Sequence, residues 1–221
     1  MITISTCMIV KNEEALLARC LDCVRSFSDE IIIVDTGSTD RTKEIAARYT
    51  DHIYDFPWIN DFAAARNFSF SKASMDYIYI ADADEIIDSD NIRQIQDLKK
   101  LLLPEIDVVQ MYYTNQLEYG TTYNYDKEYR PKLVRRLRPF LWQDPLHETL
   151  RMEPVIFDSD IAIIHKPHAN HSARDFANLQ KLIRSGQPLS SKLNVMYAKE
   201  LFISGTEDDF RTAYPYFHSL E

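Results

Sequence analysis

Two carboxylates one residue apart, in Asp82-Ala83-Asp84-Glu85, follow directly on the apolar run Tyr77-Ile78-Tyr79-Ile80-Ala81. At the start of a turn behind a strand, both can face one ligand. Hard divalent cations take oxygen ligands, and Mg²⁺ usually completes its shell with waters and substrate phosphates. Such an ion neutralises a diphosphate and activates it as a leaving group. Asp-x-Asp alone is a weak signal, because a solvated acidic turn produces it too; the strand in front gives it weight. Other apolar runs also end in polar groups: Lys11-Asn12-Glu13 after residues 2–10, and Asp35 after residues 31–34. A third cluster, Trp142-Gln143-Asp144-Pro145-Leu146-His147-Glu148-Thr149-Leu150, holds groups able to take a proton from an attacking nucleophile. His165, His168 and His171 recur every three residues behind another apolar run. That spacing on a loop does not fix a tetrahedral zinc site, and no cysteine lies near.

These groups need elements that bring strand ends together. The first hundred residues alternate strand and helix. Residues 2–10, 31–34, 52–56 and 77–81 read as strands, the first as a buried one rich in β-branched residues. Asn12 is expected to cap a helix with Glu13 and Glu14 in its first turn and Leu16, Leu17, Cys20, Leu21 and Val24 on one face. Residues 35–40 are turn and cap chemistry, followed by a helix over about 41–49. Asn60 or Asp61 opens a small-residue helix carrying Arg66, and Ile92, Ile95, Leu98 and Leu102 mark another. This alternation implies parallel strands with right-handed crossovers, in which ligands bind beyond the carboxyl ends of the strands.

After residue 105 the pattern changes. Strands are expected at 106–113 and 132–137, with a Tyr-rich loop between, and two short ones at 155–157 and 161–164. From residue 173 the chain reads as helical. Phe176, Leu179 and Ile183 share a face, as do Leu193, Tyr197 and Leu201, and Phe210, Ala213, Tyr214 and Phe217 line a last helix. Ser204-Gly205-Thr206 separates the final pair, which has the form of one unit of a helical-repeat array. The expected architecture is α/β: a mostly parallel central sheet flanked by helices, with a small helical extension. The expected division is residues 1–105, residues 106–172 and the extension at 173–221.

A net charge of −9 over 221 residues argues against general nucleic-acid binding and requires local positive charge at any phosphate site. Lys127, Arg130, Lys132, Arg135, Arg136 and Arg138 form a basic run; a strand with charges on its solvent face explains it better than an anionic ligand or lipid headgroup. Cys20 and Cys23 make a Cys-x-x-Cys without a second pair, expected to be small buried residues rather than a disulfide or metal framework. No signal peptide is read, and no apolar run approaches the roughly 18 residues of a membrane span. The expectation is a cytoplasmic protein, with contact at the inner face of a membrane left open.

Four stretches in order resemble a known family: Met8-Ile9-Val10-Lys11-Asn12-Glu13-Glu14, Ile33-Val34-Asp35-Thr36-Gly37-Ser38-Thr39-Asp40-Arg41-Thr42, Asn60-Asp61-Phe62-Ala63-Ala64-Ala65-Arg66-Asn67 and Asp82-Ala83-Asp84-Glu85. Together they look like family 2 glycosyltransferases with the GT-A fold, over about residues 1 to 170. The resemblance implies a nucleotide-sugar donor, often a uridine diphosphate sugar, and inversion at the anomeric carbon. It places the backbone of Met8, Ile9 and Val10 and the side chain of Glu13 around the nucleoside, and Asp35 at the base edge, with helix capping as Asp35's alternative. Arg66 approaches the diphosphate or donor sugar, or is a surface ion pair. Asp82 holds the ribose or a metal-bound water and so belongs with the metal set, Ala83 lies along the donor, Asp84 ligates Mn²⁺ or Mg²⁺ directly, and His165 reaches the same metal. The later His-Glu element resembles one branch of the family. It offers Glu148 as catalytic base, Asp144 as the next candidate, and His147 as a residue orienting the acceptor or holding the pyrophosphate. The Gln-x-x-Arg-Trp pattern of processive members is absent. The acceptor is a saccharide, a lipid-linked sugar or a peptide. Two other readings stand beside this one. A sugar-nucleotide nucleotidyltransferase would want a Gly-rich loop after the first strand, and this chain has four glycines with none near Lys11. A non-catalytic binding module would not need Asp82, Asp84 and Glu148.

Overall fold

The computed structural model describes residues 1–115, 127–138, 142–143, 149–150, 153–167, 172–186 and 188–220, with the backbone alone at 142–143, 149–150 and 172–175. Strand β1 (Ile4–Val10) is buried along almost its whole length, as a strand covered on both faces must be. It lies between two parallel neighbours, β2 (Glu30–Asp35) and β4 (Tyr77–Ala81), and β3 (Ile53–Asp55) extends the parallel set. Side chains alternate along β1: Ile4, Met8 and Val10 enter one core with Leu21, Ile33 and Tyr79, while Cys7 joins Ile32, Val34 and Ile78 on the other face.

Three helices cross between these strands. In α1 (Leu17–Val24), Leu17, Cys20, Leu21 and Val24 recur at helical spacing and are buried. The expected Asn12 cap is not what forms. Asn12 takes φ 56°, a left-handed conformation that Asn tolerates better than most residues, and the helix begins five residues later with Leu16 at its N-cap. Asn12 and the two glutamates instead belong to the turn after β1. Helix α2 (Thr42–Ala46) is shorter than the 41–49 expected, because the Tyr49 N–H reaches back only three residues, to the Ala46 carbonyl, and so winds the helix out. Helix α3 (Phe62–Phe70) starts at Asp61, whose carboxylate accepts the Ala64 N–H.

Beyond β4 come the two-residue strand β5 (Glu85–Ile86) and α4 (Ser89–Leu101), capped by Asp88. Then follow β6 (Val108–Thr114), β7 (Glu128–Arg135) and β10 (Ile156–His165). The two short strands expected at 155–157 and 161–164 are one strand, interrupted by an irregularity between Asp158 and Ala162 where its pairing to β6 shifts. The eight-stranded sheet runs β3-β2-β1-β4-β7-β6-β10-β5. β7 is antiparallel to both its neighbours and β5 is antiparallel to β10, so an α/β sheet with a parallel N-terminal half becomes mixed in its second half. Two short strands, β8 (Trp142–Gln143) and β9 (Thr149–Leu150), pair with each other.

The chain divides into two compact units, one of Met1–Thr114 with Lys127–Pro167 and one of Asn115–Asp126 with His168–Glu221. The second contains α5 (Ser172–Arg184), α6 (Ser191–Ser204) and α7 (Glu207–His218). Tyr197 lies between the rings of Phe176 and Phe217, with Leu179, Leu201 and Ala213 buried around it. The break between α6 and α7 falls at the expected place. A Cβ at Gly205 would stand 2.4 Å from the Leu201 carbonyl oxygen, and Thr206 opens α7 through a reciprocal capping box with Asp209. Among the described residues no helix is long and apolar enough to cross a membrane.

Candidate active site

The carboxyl ends of β1, β2 and β4 share one edge of the sheet, and two turns are knitted together there. The Asn12 N–H donates to Ser38 Oγ (2.9 Å), the Thr39 N–H to Asn12 Oδ1 (2.8 Å), the Glu13 N–H to Thr42 Oγ1 (2.7 Å) and the Arg41 N–H to Glu14 Oε2 (3.1 Å). Asp35 is buried, and its carboxylate accepts the N–H groups of Gly37 (3.2 Å) and Ser38 (3.0 Å). It therefore shapes the turn, with Gly37 at φ 103° inside it, and does not cap α2. Met8 and Val10 put their side chains into the core, so what they present to this edge is backbone.

At the end of β4 the two aspartates have different surroundings. Asp82 is 45% exposed, and Arg66, from α3, holds its Nη2 3.6 Å from Asp82 Oδ1. That is an ion pair with room between its partners rather than a tight hydrogen bond. Ala83 is buried. Asp84 is 17% exposed, and its Oδ2 lies 3.1 Å from His165 Nε2. The backbone sets that distance: Glu85 pairs with His165 and Ile86 with Ile164 in the β5–β10 ladder, and the Asp84 carbonyl accepts the Lys166 N–H (2.8 Å).

Glu85 turns inward. Lys132 Nζ donates to both its oxygens, at 2.6 and 2.8 Å, with the side chains 2% and 4% exposed. Burial pushes the Glu85 carboxyl up to about 7, the Lys132 ammonium pulling against it and the negative charge of Asp82 adding to it. The same ammonium lies 5.3 Å from the ring centre of Tyr79 and 5.9 Å from that of Tyr113, and the Tyr113 ring is 5.1 Å from the ring of His165. Cys20 aims its Sγ at the Asp82 carbonyl (3.2 Å), and burial holds its thiol well above the ordinary range. Cys23 donates to the Arg19 carbonyl four residues back, so the Cys-x-x-Cys is packing, as expected.

The pair Asp84 and His165 suits a hard or borderline divalent ion. Two ligands at right angles around an ion at about 2.1 Å stand about 3.0 Å apart, close to the separation seen here. Among the described residues no three His, Cys, Asp or Glu side chains meet at one point. Of the described residues, Asp84 and His165 would supply two ligands, with waters and phosphate oxygens able to fill further positions.

The structure brings together Arg66, Asp82, Ala83, Asp84 and His165, and sets Asp35, Glu13 and the end of β1 on the adjoining strand ends. Asp144, His147 and Glu148 lie between β8 and β9 in sequence, outside the described residues, as do His168 and His171. The solvent-face reading of the basic run is corrected. Lys132 is internal, Arg135 and Arg138 both approach the buried Asp107 (3.4 and 3.5 Å), and the Arg136 Nε donates to the Met75 carbonyl (2.6 Å). Arg130 pairs with Glu128 and lies over the Tyr113 ring. Lys132 and Leu133 are the buried residues of this stretch, and a buried ammonium needs an internal partner, whereas Lys127 is exposed. Sequence reasoning passed over Glu85, Lys132 and Tyr113. The available signal was Glu85's place beside Asp84; Lys132 sits where the register of β7 against β6 shifts, so strand alternation does not reveal it.

The sheet thus gathers two carboxylates and a guanidinium at the end of its fourth strand. The profile of glycosyl transferase family 2 matches residues 5–152, and the chain belongs to that family. It is 46% identical over 85 residues to a TPR repeat-containing protein of Synechococcus elongatus, 38% of this chain and 21% of that one. It is 34% identical over 108 residues to the SPbeta prophage-derived glycosyltransferase SunS of Bacillus subtilis, 45% of this chain and 24% of that one. The matched segments thus span less than a quarter of either relative. The fold is similar to that of glucosyl-3-phosphoglycerate synthase from Mycobacterium tuberculosis, solved with Mg²⁺ and uridine diphosphate. The TM-score is 0.54 at 18% identity, covering 86% of this chain and 81% of that one. The fold is therefore the GT-A glycosyltransferase fold that the motifs implied.

Proposed function

We propose that this chain is an inverting glycosyltransferase that uses a nucleoside diphosphate sugar, with uridine diphosphate as the nucleotide, and needs Mn²⁺ or Mg²⁺. The observation carrying this is the cluster at the end of β4, where Arg66 flanks Asp82 on one side and His165 meets Asp84 on the other. Support comes also from the similar synthase, which has been solved with Mn²⁺, uridine diphosphate glucose and phosphoglyceric acid.

Asp84 and His165 would hold the ion, which neutralises charge on the departing diphosphate. Arg66 brings a guanidinium to the same oxygens, and its planar fork suits phosphate. Asp82 faces the ribose or a metal-bound water, while Asp35 and the turn with Glu13 shape the nucleoside end. The acceptor nucleophile attacks the anomeric carbon, the bond from that carbon to the phosphate oxygen breaks, and the nucleoside diphosphate leaves. Glu148 takes the acceptor proton, with Asp144 the second candidate and His147 orienting the acceptor. In this reading residues 1–105 bind the donor, 106–172 serve the acceptor, and 173–221 are a helical extension. The acceptor is a saccharide, lipid-linked sugar or peptide, met in the cytoplasm or at the inner face of a membrane.

Calorimetric titration with uridine, guanosine and cytidine diphosphates, each with and without Mn²⁺, tests the proposal. Metal-dependent binding of uridine diphosphate is the expected result. Binding of none of the three would overturn it.

A further inference from the structure

We propose that Lys132 is a positioning residue for the metal-binding pair Asp84 and His165, acting through Glu85. This rests on the reading of those two side chains as metal ligands. β5 is two residues long and, among the described residues, stands at the edge of the sheet paired to β10 alone. So short an edge strand has little hold of its own. Yet it fixes where Asp84 meets His165, because Asp84 immediately precedes it and His165 is in register with Glu85. Lys132 adds a side-chain hold to that backbone ladder. It comes from β7, which β6 and β10 separate from β5 in the strand order, so the Lys132–Glu85 pair braces the edge strand back to the middle of the sheet. The surroundings of the brace include the histidine's own neighbour: the Tyr113 ring centre is 5.9 Å from the Lys132 ammonium and 5.1 Å from the His165 ring. It also balances charge. Without Lys132 a buried carboxylate would stand uncompensated one residue from Asp84.

Removing Lys132 alone leaves that carboxylate buried and can cost the fold, so the decisive variant is Glu85→Met/Lys132→Met. Replacing a buried ion pair by apolar side chains of similar volume is often neutral for stability. The readout is Mn²⁺ binding in the presence of uridine diphosphate, followed by the electron paramagnetic resonance of the free ion, with thermal melting as the check on fold. The double variant is expected to melt like the parent and to bind Mn²⁺ roughly 10–100-fold more weakly, the range for loss of an outer-shell partner. Lys132→Arg, which keeps the charge, is expected to stay nearer the parent than the double variant does. A folded double variant with parental Mn²⁺ affinity would overturn the proposal, and so would a double variant that fails to fold, which would make the pair a matter of stability. Asp84→Ala run alongside separates the two levels: if it too keeps parental Mn²⁺ affinity, the metal reading itself falls.

Discussion

Replacing Asp84 by alanine separates what the residue does for the fold from what it does for a ligand. On the fold side it gives up the hydrogen bond that Asp84 Oδ2 accepts from His165 Nε2 at 3.1 Å, which is not this carboxylate's whole set of contacts. Such a bond contributes about 0.5–1.5 kcal/mol net. No helix cap and no large apolar volume goes with it. Against that loss, the change removes a negative charge close to Glu85, whose carboxyl is already pushed up partly by Asp82 and Asp84. The expected net cost is about 1 kcal/mol or less, which for a chain of this size moves the melting temperature by roughly 2–4 °C. In the proposed function it removes the charged member of the Asp84–His165 pair. An interaction with a charged group contributes about 1.5–3 kcal/mol, or roughly 10–150-fold in affinity. Titration calorimetry with uridine diphosphate should show the Mn²⁺-dependent gain in affinity disappear, while metal-free binding and the melting curve change little. A variant that keeps the whole Mn²⁺ response would refute the assignment of Asp84. One destabilised by more than about 3 kcal/mol would refute the account of the β4 end as a ligand site rather than a structural one.

Glu148→Gln should leave uridine diphosphate affinity unchanged and lower transfer by at least about 100-fold, the smaller end of what a general base contributes; unchanged turnover would move the base to Asp144. Leu133→Ala, at a fully buried position on β7, should cost about 2–5 kcal/mol in urea unfolding, and a cost below 1 kcal/mol would mean that the strand is not packed as described. Asp76 and Asp88 are held below the usual carboxylate range, the first by the hydroxyl and N–H of Thr3 and the second by the N–H and side chain of Asn91. Their folded values lie below their unfolded ones, so their contribution is complete above about pH 4 and is lost as pH falls through the folded values. Denaturation followed from pH 6 to pH 2 should show stability falling below pH 4, and Asp76→Asn should flatten that fall.

The strand ends were legible because each couples a local signal to a rule of topology. An apolar run followed by Asp35 or Asp82 needs only parallel strands to place both carboxylates on one edge. Asp61 was readable as a cap because cap chemistry spans three residues. Asn12 misled for a related reason: Asn serves helix caps and left-handed turns alike, and the choice was made by Ser38 and Thr39 of another turn. Lys132 shows the limit more sharply. Its partner is 47 residues away on a strand that is not its neighbour in the sheet. A buried ion pair of that kind leaves no periodicity, and in a run of six cations it looks like a charged surface. The pairing of His165 with Asp84 spans 81 residues, and only the length of β10 and the unread two-residue β5 explain it.

That span has a consequence for the growing chain. The turns after β1, β2 and β4, with Arg66, are complete within the first 85 residues, but β5 has no strand to pair with until β10 is made. At roughly 5–20 residues per second, synthesis of the intervening 81 residues takes about 4–16 s. Through that interval a nascent chain carries Asp35, Arg66, Asp82 and Asp84 and only half of the Asp84–His165 pair. A fragment cut near residue 105 would stay in that condition, without the β10 partner of β5.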